Sequence, residues 1–348
     1  MNFLCEVYLN RLESNIKKIK QMINNKKIIG VIKGDAYGLG LDDIASFIED
    51  KVDIIAVADI DEANKVSNSK DVLILSPLCQ ENCFENNREN LILTIDNEEI
   101  LSCIDKKEKY RIHIYLDTGM DRMGIKPNRL DAFIIKLKKE YPNIQIEGLY
   151  THLHKTADEE YTLKQILLFK NTVEKYKNEI PLIHCLASSG IINDRLKNAA
   201  EFTTAVRAGN ILYGYIGLGK GLQQVFDYYA KAISTYKVKK GETVGYGAKF
   251  KATKNMTIGI LPVGNVHGLG VTREIHKNVF YDVIRAFIRS FKERPIIYVN
   301  GKPVQILGKP NMNVTIVDFS NYDKNTKFKL EMSPIIANGL VEKKYIFE

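Results

Sequence analysis

The sequence predicts an α/β protein in which a (β/α)8 TIM-like barrel is followed by a mainly antiparallel β domain. Eight short apolar, β-rich runs recur up to about Arg207, and stretches with helical character separate them. After about Gly219 the pattern changes to shorter alternating strands separated by glycines. Strands that are apolar on both faces and alternate with helices are typical of parallel pairing, and eight of them predict a closed barrel.

The predicted elements follow the chain in order. Barrel strands are expected at 28–32, 54–57, 72–75, 91–95, 112–116, 146–150 and 182–186, with a last short strand ending near Arg207. Strands of the second domain are expected at 232–238, 256–261 and 304–306. Within that domain, apolar residues at helical spacing predict an inserted amphipathic helix at about 278–291.

The composition fits a globular protein and argues against two classes of partner. The chain has 348 residues, of which 45% are hydrophobic, so it can fill a large core. It contains no apolar run long enough for a membrane span, and Glu6 comes too early for a signal peptide, so we expect a cytoplasmic protein with no membrane partner. The net charge of +8 comes from lysines spread along helices without interleaved aromatic residues, which indicates a solvated face and no nucleic-acid partner. The five cysteines match neither a disulfide framework nor a zinc pattern.

Lys33 is the first candidate for chemistry. It follows a β-branched run and precedes a glycine-rich turn in the segment VIKGDAYGLG, residues 31–40. A lysine at the end of a buried strand loses solvation, which lowers its pKa and favours the neutral amine. A neutral amine can form a Schiff base with an aldehyde, whereas a lone lysine at a strand end is more often simply solvated.

Further segments occur in an order that resembles the alanine racemase family, and the resemblance extends to about Gly268. They are LDTGMDRMG (116–124), GLYTH (148–152), HCLASS (184–189), VRAGNILYG (206–214), VGYG (244–247) and LPVG (261–264). The resemblance implies an enzyme that uses pyridoxal 5'-phosphate (PLP) to interconvert the L- and D-enantiomers of a small amino acid by α-proton transfer. It also implies a homodimer, since the family builds each pocket from two subunits. Because it assigns the first ten residues to the β domain, the expected domains are 11–222 for the barrel and 1–10 with 223–348 for the β-rich domain.

The resemblance assigns cofactor contacts to residues at matching positions. Lys33 would bind PLP covalently and, once displaced from it, serve as the base for one face of the substrate α-carbon. Arg207 would face the pyridine nitrogen and, because an arginine stays protonated, would leave that nitrogen neutral and favour plain proton transfer. The remaining cofactor contacts are one residue that packs on the ring and four on the phosphate side: His152, Tyr37, Ser188, Gly209 and Asn210.

Substrate contacts fall where the chain departs from the family pattern. Arg122 would bond the cofactor's phenolic oxygen and help to hold the substrate carboxylate. Met312 occupies the methionine position of a methionine-aspartate step, which occurs here as Met312-Asn313. Tyr115 stands where many members have a modified lysine, and Ala187 replaces an asparagine.

The largest departure concerns the second catalytic group. Asn265 stands where the family has the tyrosine that serves the opposite face of the α-carbon, and an amide cannot exchange a proton at neutral pH. His267 is the substitute that its titration range suggests, although a solvated loop histidine is equally compatible with the sequence.

Two other functions stay open at this point. A one-base PLP lyase or decarboxylase would need Lys33 alone, so Asn265 would be no defect. A catalytically silent PLP-binding homologue would retain the cofactor without turnover. A metal site is not expected, because the pair His152 and His154 offers only a dipeptide spacing.

Overall fold

The fold is seen in a computed structural model that describes residues 2–76, 81–271, 295–337, 339 and 341–347. These residues form two compact units. Leu9–Val225 makes up one of them, and the segment up to Tyr8 joins the segment from Phe226 to Phe347 in the other. The helix that the sequence predicts at about 278–291 lies outside the described residues. Within the described ranges, no helix is both long and apolar enough to cross a membrane.

Strand β1 (Phe3–Tyr8) belongs to the second unit, and the next eight strands form the barrel. They are β2 (Lys27–Val31), β3 (Ile54–Val57), β4 (Val72–Ile74), β5 (Leu91–Ile95), β6 (Tyr110–Tyr115), β7 (Ile144–Tyr150), β8 (Leu182–His184) and β9 (Ala205–Ala208). They pair in parallel in the order β8-β7-β6-β5-β4-β3-β2-β9. Hydrogen bonds from Thr204 N to Ile183 O, at 2.8 Å, and from Arg207 N to Leu186 O, at 3.0 Å, join the two outer strands. The predicted barrel is therefore confirmed.

Alternation along each strand separates the barrel interior from the layer that faces the helices. Ile29 and Val31 of β2 share one core cluster with residues of the other barrel strands. Gly30, between them, faces the other way, and a Cβ added to it would lie 3.3 Å from the side chains of Ile48 and Val52. Both faces of the strand are covered, which explains why the barrel strands are continuous apolar runs.

Helices connect the barrel strands. The α-helices are Leu9–Met22, Leu41–Ile48, Ile60–Ala63, Glu81–Glu85, Leu130–Glu140, Glu159–Val173, Ser188–Ile191 and Asp194–Ala199. The 3-10 helices of this unit are Glu99–Cys103, Pro127–Arg129, Glu174–Tyr176 and Leu218–Lys220. Asp59, Asp158 and Asn193 each begin a helix by accepting a hydrogen bond from a backbone N–H of its first turn.

The second unit is mainly antiparallel, as predicted. Its strands after the barrel are β10 (Phe226–Ala230), β11 (Ser234–Val238), β12 (Thr243–Val244), β13 (Phe250–Lys251), β14 (Met256–Leu261), β15 (Ile297–Val299), β16 (Lys302–Pro303), β17 (Thr315–Asp318), β18 (Phe328–Leu330) and β19 (Lys343–Ile346). They form sheets of order β16-β15-β18-β10-β1-β19, β11-β14-β17 and β12-β13. Strands β1 and β19 pair in parallel, and the other pairs are antiparallel. The 3-10 helices Tyr246–Ala248 and Asn265–His267 complete the unit's regular elements among the described residues.

The strand predicted at 304–306 is wrong, because the chain changes partners within that segment. Val304 N still bonds Ile297 O, at 2.9 Å, and so extends the pairing of β15 with β16. Ile306 then forms only an isolated bridge with Val317. A run whose successive residues pair with two different sheets cannot form one regular strand.

Candidate active site

A cavity of about 370 Å³ lies where the barrel strands end at their carboxyl ends. Parallel barrels carry their chemistry on this face, because the loops after the strands meet there. Eight of the sequence-predicted site residues line this cavity: Lys33, Tyr37, Arg122, His152, Ser188, Arg207, Gly209 and Asn210. The other two, His267 and Met312, belong to the second unit.

Lys33 lies two residues beyond the end of β2 and begins an unusual turn. Gly34, Asp35, Ala36 and Tyr37 all have left-handed backbone angles, with φ between 53° and 67°. Residues other than glycine rarely adopt this conformation, so tertiary contacts must hold the turn. The N–H of Asp35 donates to Glu62 Oε1 at 2.9 Å, which supplies one such contact.

The surroundings of Lys33 favour the neutral amine. Its side chain keeps an exposed surface, because the cavity is open, but protein surrounds the rest of it. This desolvation lowers the pKa of Lys33, and the nearby charges of Arg122 and Arg207 lower it further.

Arg207, at the end of β9, is only 4% exposed. Its Nη2 donates to Thr151 O at 2.7 Å, and its Nη1 lies 2.6 Å from Nδ1 of His184. The guanidinium carbon lies 5.1 Å from the centre of the Tyr150 ring. No carboxylate of the described residues pairs with this buried cation, so its charge is left for a ligand.

The side of the cavity formed by Ser188, Gly209 and Tyr37 offers hydroxyl and backbone groups. Ser188 Oγ accepts hydrogen bonds from the backbone N–H groups of Gly209, at 3.2 Å, and Ile211, at 3.3 Å. A Cβ added to Gly209 would lie 2.3 Å from the Tyr37 hydroxyl, so this position excludes any side chain. The hydroxyl groups of Ser188, whose oxygen accepts these two bonds, and of Tyr37 can donate hydrogen bonds, which suits an anion.

The loop that carries Arg122 is organised by the buried Asp117. Its Oδ1 accepts hydrogen bonds from three backbone N–H groups, those of Gly119, Met120 and Asp121, each at 3.0 Å. Its Oδ2 lies 2.6 Å from Lys126 Nζ. Burial by itself would raise the pKa of Asp117, but the hydrogen bonds from Lys126 and the loop amides lower it overall. The carboxylate is therefore charged and fixes the loop.

His152 is neutral in this site. Burial lowers its pKa to about 3, together with the charges of Arg207, Arg122 and Lys33. Its Nδ1 lies 3.4 Å from Arg207 Nη2. His154 is exposed and makes an edge contact with Tyr161 at 5.1 Å between ring centres. The described residues contain no group of three or more side chains suited to a metal ion.

His267 and Met312 lie in two loops that pair with each other. Val266 N donates to Met312 O at 3.0 Å, and a Cβ on Gly264 would lie 2.5 Å from that same carbonyl oxygen. The Nδ1 of His267 accepts the N–H of Gly264 at 3.1 Å, which places the proton of the neutral ring on Nε2. Partial burial lowers the pKa of His267. Met312 is 70% exposed, and Asn265 is exposed as well.

Comparison with known protein families assigns both units. The family model described as alanine racemase, N-terminal domain, matches residues 7–216, which is more than half of the chain. The model described as alanine racemase, C-terminal domain, matches residues 225–334. The chain belongs to the alanine racemase family.

Individual members of the alanine racemase family are similar over most of their length. An alanine racemase of Borreliella burgdorferi is 31% identical over 331 residues, which cover 90% of this chain and 83% of the relative. Alanine racemase 2 of Clostridium acetobutylicum is 28% identical over 353 residues, covering 96% and 82%. The solved alanine racemase of Clostridium difficile 630 superposes with a TM-score of 0.83 at 24% identity, covering 100% of this chain and 96% of the other. That likeness supports the shared fold.

Sequence reasoning missed several residues that support this alanine racemase family site. Tyr150, His184 and Asp117 lie inside the quoted family segments, but nothing in the sequence says that they hold Arg207 or the Arg122 loop. Tyr150 Oη accepts a hydrogen bond from the backbone N–H of Ser76 at 3.2 Å. The signal that could have found them is their place at strand ends, next to the residues that carry charge.

Proposed function

We propose that this protein is a PLP-dependent amino-acid racemase and that its substrate is a small amino acid. Alanine is the first candidate, because the relatives described above are named alanine racemases. One observation carries the proposal. In a chain of this family, eight residues from the carboxyl ends of five barrel strands line a single cavity. Their chemical types suit the separate parts of PLP and of an amino-acid carboxylate.

The charges of the cavity fit a phosphorylated cofactor. The guanidinium groups of Arg122 and Arg207 line it, and none of its lining residues among those described is acidic. The phosphate of PLP and the carboxylate of an amino acid are both anionic, so both would find uncompensated positive charge. Ser188, Gly209, Asn210 and Tyr37 would hold the phosphate, and Lys33 would bind the aldehyde carbon.

Bound PLP would supply the electron sink that stabilises negative charge on the substrate α-carbon. Arg207 remains protonated and has no proton to give to the ring nitrogen, which favours proton transfer over other outcomes. Once the substrate amine has displaced it from the cofactor, Lys33 would be a free amine of lowered pKa and would take the proton from one face of the α-carbon. Arg122, on the loop that Asp117 fixes, orients the substrate carboxylate.

His267 is our candidate for the proton exchange on the opposite face. To accept a proton there, its Nδ1 must release the N–H of Gly264, or its Nε2 must give up the proton it carries. Two observations, this hydrogen bond and the presence of Asn265, favour one-base PLP chemistry such as that of a lyase or decarboxylase. The relatives described above are named as alanine racemases, which supports racemisation as the first candidate. A homodimer and a cytoplasmic location remain predictions from the sequence.

Exchange of the α-proton tests the proposal. The PLP-loaded protein is incubated in D₂O with L-alanine and with D-alanine separately, and proton NMR and chiral analysis follow each reaction. Loss of the α-proton signal from both enantiomers, with interconversion, is the result expected of a racemase. Exchange of one enantiomer without inversion moves the assignment to one-base chemistry, and binding of PLP without exchange of any tested amino acid overturns the catalytic proposal.

A further inference from the structure

Two buried histidines continue from Arg207 into the barrel interior. His184 Nδ1 lies 2.6 Å from Arg207 Nη1, and His184 Nε2 lies 3.1 Å from Nδ1 of His113. Both histidine side chains have no exposed surface. The three side chains come from β9, β8 and β6, so the chain of contacts forms only when the barrel closes.

The donor at one end fixes the tautomer of each ring. A guanidinium can only donate hydrogen bonds, so His184 Nδ1 must accept and the proton of its neutral ring lies on Nε2. That N–H then donates to His113 Nδ1, which places the proton of His113 on Nε2 as well. No described residue accepts a hydrogen bond from His113 Nε2, so the chain ends there.

The backbone makes room for His113 at one position of the neighbouring strand. The pairing of β6 with β7 shifts its register between Ile112 and His113, which brings Gly148 opposite His113. A Cβ added to Gly148 would lie 2.5 Å from His113 Cδ2 and 2.6 Å from its Nε2. A register irregularity of this kind re-aims side chains and is common beside functional sites.

The second ring is also held from its face. The Tyr150 ring stacks on His184 with 4.8 Å between ring centres and 5° between their planes. Tyr150 is itself fixed, because its hydroxyl lies 3.1 Å from Thr94 Oγ1. These contacts prevent either imidazole ring from flipping over, which would exchange the positions of its two nitrogens.

We propose that His113 is a positioning residue for Arg207: it ends a chain of two neutral imidazoles of fixed tautomer, which orients the guanidinium and offers it a lone pair in place of a carboxylate. Aligned imidazole dipoles stabilise the buried cation without cancelling its charge, as a carboxylate would. Burial keeps both rings neutral, since it lowers the pKa of His113 to about 3 and that of His184 well below its usual value. The effect on PLP binding rests on the function proposed above, but the assignment of the two histidine tautomers does not.

The first test is nitrogen NMR of the cofactor-free protein, labelled with ¹⁵N-histidine, near neutral pH. The expected result is that His113 and His184 both carry their proton on Nε2 and none on Nδ1, with the His113 signals assigned by their loss in His113→Asn. A proton on Nδ1 of either ring, or an imidazolium at either position, overturns the proposal. This result does not depend on whether PLP binds.

The second test measures the dissociation constant and visible absorption maximum of bound PLP in variants. His113→Leu removes the acceptor for His184 and is expected to weaken PLP binding about tenfold and to shift the absorption maximum. His113→Asn, whose Oδ1 can replace Nδ1 as acceptor, is expected to stay close to the wild type in both. His154→Gln is the matched control, because His154 is exposed.

Outcomes separate this proposal from the function on which it draws. Wild-type affinity and an unshifted maximum in His113→Leu, or an equal loss in His113→Asn, overturn the positioning role. If His113→Leu does not fold, Gly148→Ala takes its place, because its added Cβ must displace the His113 ring, and an unshifted maximum there overturns the role too. Failure of the wild type to bind PLP overturns the proposed function instead, and the tautomer measurement then decides the histidine chain alone.

Discussion

Asp117 and Lys126 are joined by an ion pair of 2.6 Å that closes the loop carrying Arg122. The other oxygen of Asp117 accepts three consecutive backbone N–H groups of that loop. A Cβ on Gly124 would lie 2.7 Å from Asp117 N, so the returning chain must pass close to the carboxylate. The position of Arg122 therefore depends on one buried charge more than on its own contacts.

Replacing that charge should weaken substrate binding. In Asp117→Asn, the amide oxygen can still accept the loop N–H groups, but without a negative charge these bonds are weaker, and an NH₂ group replaces the oxygen that pairs with Lys126. We therefore expect the KM for the amino acid to rise about tenfold with a smaller change in kcat. Steady-state kinetics measure both. Asp121→Asn is the control, because it also removes a partner of Lys126 but leaves the three amide contacts intact. An unchanged KM in Asp117→Asn would show that the loop does not need the carboxylate.

The same residue should make stability depend on acid. The pKa of Asp117 is lowered in the folded protein from 3.8, so the unfolded chain binds its proton first as the pH falls. The stabilisation is fully present above the unfolded value and is lost as the pH falls through the lower folded value. In urea unfolding, the wild type should therefore have a larger free energy of unfolding than Asp117→Asn at pH 7, and this difference should disappear in strong acid. A difference that stays constant down to pH 2 would contradict this account.

Lys33→Ala should remove the covalent attachment of PLP. We expect the visible absorption of the bound cofactor to be absent, and α-proton exchange to fall to background, because no other described lysine lines the cavity. The exposed Lys65→Ala provides the matched control. Spectrophotometry of the reconstituted proteins decides the matter, and a Lys33→Ala protein that stayed yellow after dialysis would remove Lys33 from the assignment.

Gly209 and Tyr37 should be coupled. Gly209→Ala places a Cβ about 2.3 Å from the Tyr37 hydroxyl and is expected to weaken PLP binding by roughly 1–3 kcal/mol. Combining it with Tyr37→Phe removes the clashing oxygen, so the double variant should bind better than the sum of the two single changes predicts. Titration of PLP into the four proteins gives the coupling energy. Simple additivity would mean that the two positions do not meet.

His267→Ala tests the candidate for the second face. We expect racemisation to be lost while PLP binding and exchange of one enantiomer persist, because Lys33 alone serves the other face. His154→Ala should leave both activities intact. Chiral analysis after reaction in D₂O provides the readout. Racemisation at the wild-type rate would show that His267 is not the proton-exchanging group and that another group serves the opposite face of the α-carbon.

Much of the fold was predictable, because barrel strands buried on both faces leave a plain pattern. The bounds of β3, β5 and β14 agree with the sequence prediction to the residue. The left-handed turn after Lys33 was not predictable, because Asp35, Ala36 and Tyr37 have no local preference for positive φ. Contacts such as that of Asp35 with Glu62 impose it, and they exist only in the folded barrel.

The site divides in the same way. The family resemblance points to the residues that line the cavity, since each lies in a recognisable segment. The support beneath Arg207 could not be read in the same way, because His113 and His184 are separated by 71 positions and meet only through strand order. A one-residue register shift between β6 and β7 decides that meeting, and no local pattern encodes it.

The missing counter-ion of Arg207 has a consequence for how a ligand arrives. With Arg122 lining the same cavity and no acidic side chain among the described lining residues, the cavity has a positive electrostatic potential. Phosphorylated molecules are drawn towards its mouth before any covalent bond forms. Dissolved salt weakens that attraction, so the rate at which an anionic ligand enters the cavity falls as the ionic strength rises.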